Sequence, residues 1–414
     1  MIKKSQLILS VILVIGAFAC SKNDNTKYRS AASGEIRIGA LLPLTGSGSS
    51  TGRSMNISLG LARQDIQNYL TSVGNHNTIS MIVADTKTDT VEALKQLKIF
   101  YDQGIRLVIG PYSSAELLSL KNFADTHGVI LVSPSSVAVS LAIPGDNIFR
   151  FVPSDVMQGE AMNKMLTDDK IKVIVPIIRN DVGGNDLLDV VRSNFIKSGG
   201  TVQPPVKYEP GTTDFSGLLP QLDAVVAGEL DHHNPNEIAV YLLSFAEGAT
   251  ILKSAKNYAH LNNVYWYGGS AFSGNADAIA DTVAALFAYT HGLPCPVYGL
   301  EESAKERWQP LRDRIQAELG RMPEVYAFTA YDALWVGVLT YTTVGFSPDV
   351  NLLKSAFTMV AGNYFGATGN TKLDTNGDRA VGNYDFWAIK HDTTGYAWKR
   401  IAKYNSLSGT LVRE

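Results

Sequence analysis

The chain has 414 residues, a net charge of −3 and an apolar content of 45%, which predicts packed cores rather than a disordered chain. The length exceeds one ordinary domain, so two domains of similar size are expected. With 36 basic residues set against 39 acidic ones and no Lys/Arg run, nothing in the chain points to a nucleic-acid partner.

The N-terminus reads as a processing signal. Lys3-Lys4 is a basic start, and 7–15 is an apolar run too short to span a bilayer. Ala17-Phe18-Ala19-Cys20 then places small residues before a cysteine. This pattern resembles the lipobox of bacterial lipoproteins, in which the cysteine becomes the lipidated first residue. The resemblance implies that 1–19 is a signal peptide, that Cys20 carries a lipid, and that the protein sits in the cell envelope, at the periplasmic face or the outer membrane. The polar stretch within 20–35 reads as a flexible tether. Cys295 is then the one cysteine left, so an internal disulfide is excluded, and without a basic neighbour it reads as a buried apolar residue. No other apolar run is long enough to span a membrane.

From 36 onward strands and helices alternate. Apolar 36–42 predicts a first strand, and 45–52 a glycine-rich loop that matches neither a Walker loop nor the dinucleotide spacing. Helix 53–69, strand 78–84 and helix 88–101 follow. The stretch 105–137 then reads as strand, helix, strand, and both strands end in small hydroxyl residues: Ser113-Ser114 after Gly110-Pro111, and Ser133, Ser135 and Ser136 after 129–132. Ligands of open parallel sheets bind outside the carboxyl ends of the strands. Ser113 or Ser114 also opens a helix, where free N–H groups and the dipole favour an anion. The plainer reading makes Ser114 only the N-cap of that helix and Ser133-Pro134 only a turn.

Strand 147–152 leaves this first set. A second set follows: helix 155–166, strand 172–178, loop 179–186, helix 187–198 closed by Gly199-Gly200, strand 202–208, helix 215–226, strand 237–243, helix 248–258 and strand 264–267. An apolar run at 285–288 predicts a further strand. Helices at 303–319, 326–344 and 352–359 come next, then strand 384–390, with 396–404 as its hairpin partner.

Several motifs fall in a characteristic order: IGALLPLTG (38–46), VIGPYSS (108–114), ILVSPSS (130–136), NIFRFVPSD (147–155), DFSGLLPQL (214–222), AYDAL (330–334) and LDTNGDRAVGNYDFWAI (373–389). Together they resemble the branched-chain amino-acid (Leu/Ile/Val) binding proteins, type I periplasmic binding proteins that serve ABC importers. The resemblance implies an α/β fold of two doubly wound Rossmann-like lobes with parallel sheets joined by three crossover strands. Lobe one is then 36–151 with 292–381, and lobe two 152–291 with 382–414. It implies a receptor with no catalysis and no cofactor, closing on a small polar ligand such as an amino acid, an amide or a related carboxylate. Its partners would be that ligand, an ABC permease, and the membrane through the N-terminal lipid. The alternative is a sensory or partner-binding module on the same fold, uncoupled from transport. An enzyme would need a nucleophile elbow of the G-x-S-x-G kind, which the serine clusters lack.

Carried over residue by residue, the resemblance implies a ligand carboxylate at Ser113 or Ser114 and at Ser135 and Ser136; Tyr112 is a candidate aromatic wall. The threonine usual after the second turn falls on Val137. The aromatic of the first lobe-two loop falls on Gly183, while Phe245 matches the second. The acid that meets the ligand ammonium falls on Ser270. Asp181 and Glu247 are then the nearest substitute acids, Arg53 a candidate partner for an anion, and Trp266 and Phe272 candidate aromatic walls. Asp374, Asn376 and Asp378 resemble the start of a calcium loop, but Arg379 stands where a glycine is needed, so a turn at Asn376-Gly377 is expected. His232-His233 has no supporting ligand at metal spacing.

Overall fold

The structure, a computed structural model, describes residues 34–345, 347 and 349–414. The signal segment, Cys20 and nearly all of the tether lie outside the described residues.

Alternation of side chains along the first strand sets the first layer. In β1 (Glu35–Leu42), Ile36, Ile38, Ala40 and Leu42 join one core, while Leu41 joins the core on the other face. Both faces are buried, which is why the run is apolar almost throughout. β2 (Thr78–Asp85), β3 (Leu107–Ile109), β4 (Ile130–Ser133) and β5 (Ile148–Arg150) complete a parallel sheet in the order β2-β1-β3-β4-β5. Helix α1 (Ser49–Ser72) covers one face through Met55, Leu59 and Ile66; α2 (Thr90–Asp102) and α3 (Ser114–His127) cover the other through Leu97, Leu117 and Leu120.

The second set repeats this scheme. α4 (Asp155–Asp168) leads into β6 (Val173–Arg179), α5 (Val182–Lys197), β7 (Thr201–Val202), β8 (Val206–Tyr208), α6 (Leu219–Leu230), β9 (Ile238–Leu243), α7 (Gly248–Ala255) and β10 (Tyr265–Gly268). The sheet is parallel, in the order β10-β9-β6-β7, with β8 on the far half of β6. Val173, Val175 and Ile177 face one core, Ile174 and Ile178 the other.

Two helices follow, α8 (Ala276–Ala280) and α9 (Thr282–His291), and the second corrects the strand expected at 285–288. The Asp281 carboxylate accepts the N–H groups of Val283 and Ala284 and starts α9. Ala284, Ala285, Phe287 and Ala288 are buried while Leu286 is exposed, and a short apolar run does not by itself tell a helix from a strand.

β11 (Cys295–Gly299) then begins a four-stranded antiparallel sheet, of which the sequence shows only the central hairpin. After α10 (Lys305–Leu319), α11 (Tyr326–Val344), α12 (Val350–Asn363) and the short pair β12 (Phe365–Gly366) and β13 (Gly369–Asn370), the chain enters β14 (Asn383–Asp392). β14 pairs with β15 (Gly395–Asn405) as the expected hairpin, and β16 (Thr410–Arg413) completes the order β11-β14-β15-β16. α11 and α12 return to the first sheet, where Ala333, Leu334, Val338 and Phe357 share the core of β1 and α1.

A buried ion pair ties the end of the first sheet to this return. Arg150, at the end of β5, makes a two-pronged contact with the Asp378 carboxylate and donates to the Ala138 carbonyl at 2.6 Å. The Asp374–Asp378 segment is the expected turn: Asp374 Oδ1 accepts the N–H groups of Asn376 and Asp378 at 2.8 and 3.0 Å, and Gly377 takes φ 81°. Asp378 thus serves as a clamp rather than a cation ligand. No helix among the described residues is long and apolar enough to cross a membrane.

Candidate functional site

The carboxyl ends of β3, β4, β6, β9 and β10 converge on one cavity of about 70 Å³. Tyr112, Ser113, Ser114, Ser135, Asp181, Phe245 and Ser270 all line it. Ser136 stands directly behind, within hydrogen-bond reach of Ser114.

The side contributed by the first sheet is built by two turns. β3 ends at a cis Gly110-Pro111 bond, with Gly110 at φ 108°. A Cβ at Gly110 would lie 2.2 Å from the Leu41 carbonyl oxygen, so this sharp exit requires glycine. Ser113, not Ser114, then caps α3. Its Oγ accepts the Glu116 N–H at 3.2 Å, while Glu116 Oε2 accepts from the Ser113 N–H at 3.0 Å and Oγ–H at 2.6 Å. Burial raises the Glu116 carboxyl above its ordinary pKa. The two serines therefore divide the work. Ser113 holds the helix start, while Ser114 Oγ turns to Ser136 Oγ at 2.9 Å and accepts the Val137 and Ala138 N–H groups at 3.3 Å. Ser135 Oγ donates to the Tyr112 carbonyl at 2.8 Å, and Ser133 Oγ to the Pro111 carbonyl at 2.7 Å.

The side contributed by the second sheet centres on Arg179, the last residue of β6, which the sequence reading passed over as part of a loop. Its Nε donates to Asp181 Oδ2 at 2.9 Å and its Nη1 to Glu247 Oε1 at 3.1 Å. The guanidinium lies over the Phe245 ring, 4.7 Å from its centroid. The Tyr208 hydroxyl and the Phe245 N–H also reach Glu247 Oε1, at 3.0 and 3.2 Å. Asp181 and Glu247 are thus engaged by Arg179 rather than poised to swing in on a ligand. Asp181 also caps α5 by accepting the Gly184 N–H, and a Cβ at Gly184 would lie 2.3 Å from the Arg179 carbonyl oxygen. At Gly183 the space is open, since a Cβ would meet Asp181 and Ser114 only at 3.6–3.8 Å.

Asp155, the first residue of α4, is the other functional side chain that sequence reasoning missed. It is fully buried, it lines the cavity, and neither carboxylate oxygen has a hydrogen-bond partner among the described residues. Burial holds its pKa well above the usual carboxylate range, with the Arg150 charge opposing the shift. An acid in the first turn of a helix ordinarily reads as a dipole partner, which hid it. Tyr326, at the start of α11, also lines the cavity.

Other expected residues lie elsewhere. Trp266 and Phe272 are in the core of the second sheet and do not line the cavity. Arg53 is exposed on α1. His233 faces Glu229 at 3.3 Å, and no group of three or more metal-ligating side chains occurs among the described residues.

A protein of Methanocaldococcus jannaschii described as uncharacterized is 25% identical over 97% of this chain and 98% of its own length. The Leu/Ile/Val-binding protein BraC3 of Rhizobium johnstonii is 26% identical over 60% of this chain and 69% of its own. The crystal structure of the leucine binding protein LivK from Thermotoga maritima superposes with a TM-score of 0.74 at 20% identity, covering 88% of this chain and 97% of that one. It shares the α/β fold with parallel sheets seen here. The sequence model of the periplasmic binding proteins matches residues 35–394. The chain belongs to the periplasmic binding protein family, whose members are extracytoplasmic solute-binding proteins and not enzymes.

Proposed function

We propose that this protein is a lipid-anchored envelope receptor that closes on a small amino acid and delivers it to an ABC importer. Its lobes are 36–151 with 292–381 and 152–291 with 382–414, and closure is a hinge motion about their crossovers. The observation that carries the reading is Asp155: a fully buried carboxyl group, both oxygens without hydrogen-bond partners among the described residues, lining the same cavity as the start of α3. Leaving such a group unpaired is costly, and a ligand ammonium is the group that relieves the cost. The α3 N-terminus with Ser114 and Ser136 suits a carboxylate. A ligand that satisfies both ends carries an ammonium and a carboxylate, as an α-amino acid does. The similarity to leucine- and Leu/Ile/Val-binding proteins supports that class.

Thermal unfolding of the mature protein with a panel of amino acids, and with the matching carboxylic acids lacking the amine, tests this. A ligand that binds only the folded state at a hundredfold excess over its Kd stabilises it by about 2.7 kcal/mol. One or more amino acids should raise the midpoint, and their des-amino counterparts should not. A larger shift from an amine-free acid would remove Asp155 from its assigned role.

A further inference from the structure

Beyond the small inner cavity lies an open outer basin of about 980 Å³, lined by Ser47, Thr88, Thr213, Thr250 and Asp281 among others. Arg179 lines both spaces. Its side chain is 9% exposed and is held from three directions, by Asp181, by Glu247 and by the Phe245 ring. Phe245 in turn meets the Tyr112 ring of the opposite wall at 5.4 Å. The guanidinium is therefore a fixed partition, and two carboxylates are already committed to a cation at that point.

We propose that Arg179 is the specificity-determining residue of this cleft: its own side chain fills the place that a long basic ligand side chain would take, and so limits the protein to short amino acids. The inference rests on the amino-acid reading above. Its logic is charge and length together. Without Arg179 the inner cavity opens into the basin, and Asp181 Oδ2 and Glu247 Oε1 face that opening without their cation. A lysine, ornithine or arginine ligand anchored at Asp155 and α3 then reaches them with its own cation. Arg179→Met separates the two effects, since it keeps most of the plug and removes the charge.

The test measures affinities of wild type, R179A and R179M for alanine, serine, methionine, ornithine, lysine and arginine by calorimetry. Wild type should favour the short ligands. R179A should bind at least one basic amino acid tenfold or more tightly than wild type does, and R179M should not gain long ligands. Should R179A fail to fold, R179A/E247Q leaves one carboxylate fewer unpaired, and it should gain methionine and lysine by the same margin. A folded alanine variant with wild-type preferences overturns the inference, as does a wild type that binds lysine as well as alanine; both leave the amino-acid reading standing. A wild type that binds no amino acid overturns that reading itself.

Discussion

Ser114 Oγ stands 2.9 Å from Ser136 Oγ, joining the start of α3 to the turn after β4. Its neighbour Ser113 is spent on the capping box. Adjacent serines thus have separable roles, and alanine substitutions should separate them. S113A removes a cap and should cost about 1 kcal/mol of stability while leaving ligand affinity within about twofold. S114A removes a donor to a charged group, worth about 1.5–3 kcal/mol, so affinity should fall by roughly ten- to a hundredfold. Calorimetric titration and urea unfolding of both variants check this. Equal affinity losses from the two substitutions would count against Ser114 as the anchor.

Asp155 couples stability to pH. Burial holds the folded-state pKa well above the usual carboxylate range, whereas the unfolded chain ionises at the usual value. Between those two pH values the native state keeps a proton that the unfolded state has lost, so stability falls as pH rises through the window. D155N should remove that slope and stabilise the ligand-free protein at pH 7 by about 1–3 kcal/mol. It should also abolish amino-acid binding. In the wild type, an ammonium that pairs with the ionised carboxylate expels the proton. The wild-type binding enthalpy should therefore vary with the ionisation enthalpy of the buffer. A D155N protein less stable than wild type at pH 7 would argue that the acid is structural.

Much of this arrangement was legible in the chain because it is local. The alternation in β1 and the hydroxyl-tipped ends of 105–137 are patterns within a few residues, and they placed the first sheet and half of the cavity wall. What was not legible depends on distant pairing. Arg179 meets Glu247 across 68 residues, so an arginine in a loop-like run gave no sign that it would neutralise both candidate acids. In sequence Asp155 is an ordinary first-turn acid, and its significance lies in having no hydrogen-bond partner among the described residues once folded. The helix at 282–291 is not legible because the four apolar residues 285–288 fit either period, and only the folded chain shows Asp281 capping the helix.

The Arg150–Asp378 pair makes a prediction about stability alone. Both side chains are almost wholly buried, so removing one partner strands a charge. D378A should cost about 3–5 kcal/mol in urea unfolding, whereas the double replacement R150M/D378L should recover much of that loss. Calcium or a chelator should leave the unfolding midpoint unchanged, because Asp374 Oδ1 already accepts two backbone N–H groups and Asp378 is engaged by Arg150. A midpoint that rises with calcium would return this turn to the status of a cation loop.

The proposed anchor can be separated from the receptor. Cys20 follows an apolar run too short to span a bilayer and precedes the compact unit Gly34–Glu414 by a polar stretch. On the proposed reading a lipid on Cys20 retains the protein at the membrane, and stable retention takes more than one acyl chain, because a single chain binds reversibly. The full-length protein, expressed in a bacterium that processes lipoproteins, should partition into the detergent phase and incorporate labelled fatty acid. C20A should partition into the aqueous phase and carry no label. Its ligand affinity should equal that of the wild type, since the cavity is built wholly from residues between Tyr112 and Tyr326. A C20A protein that stays in the detergent phase would place the anchor elsewhere in the chain.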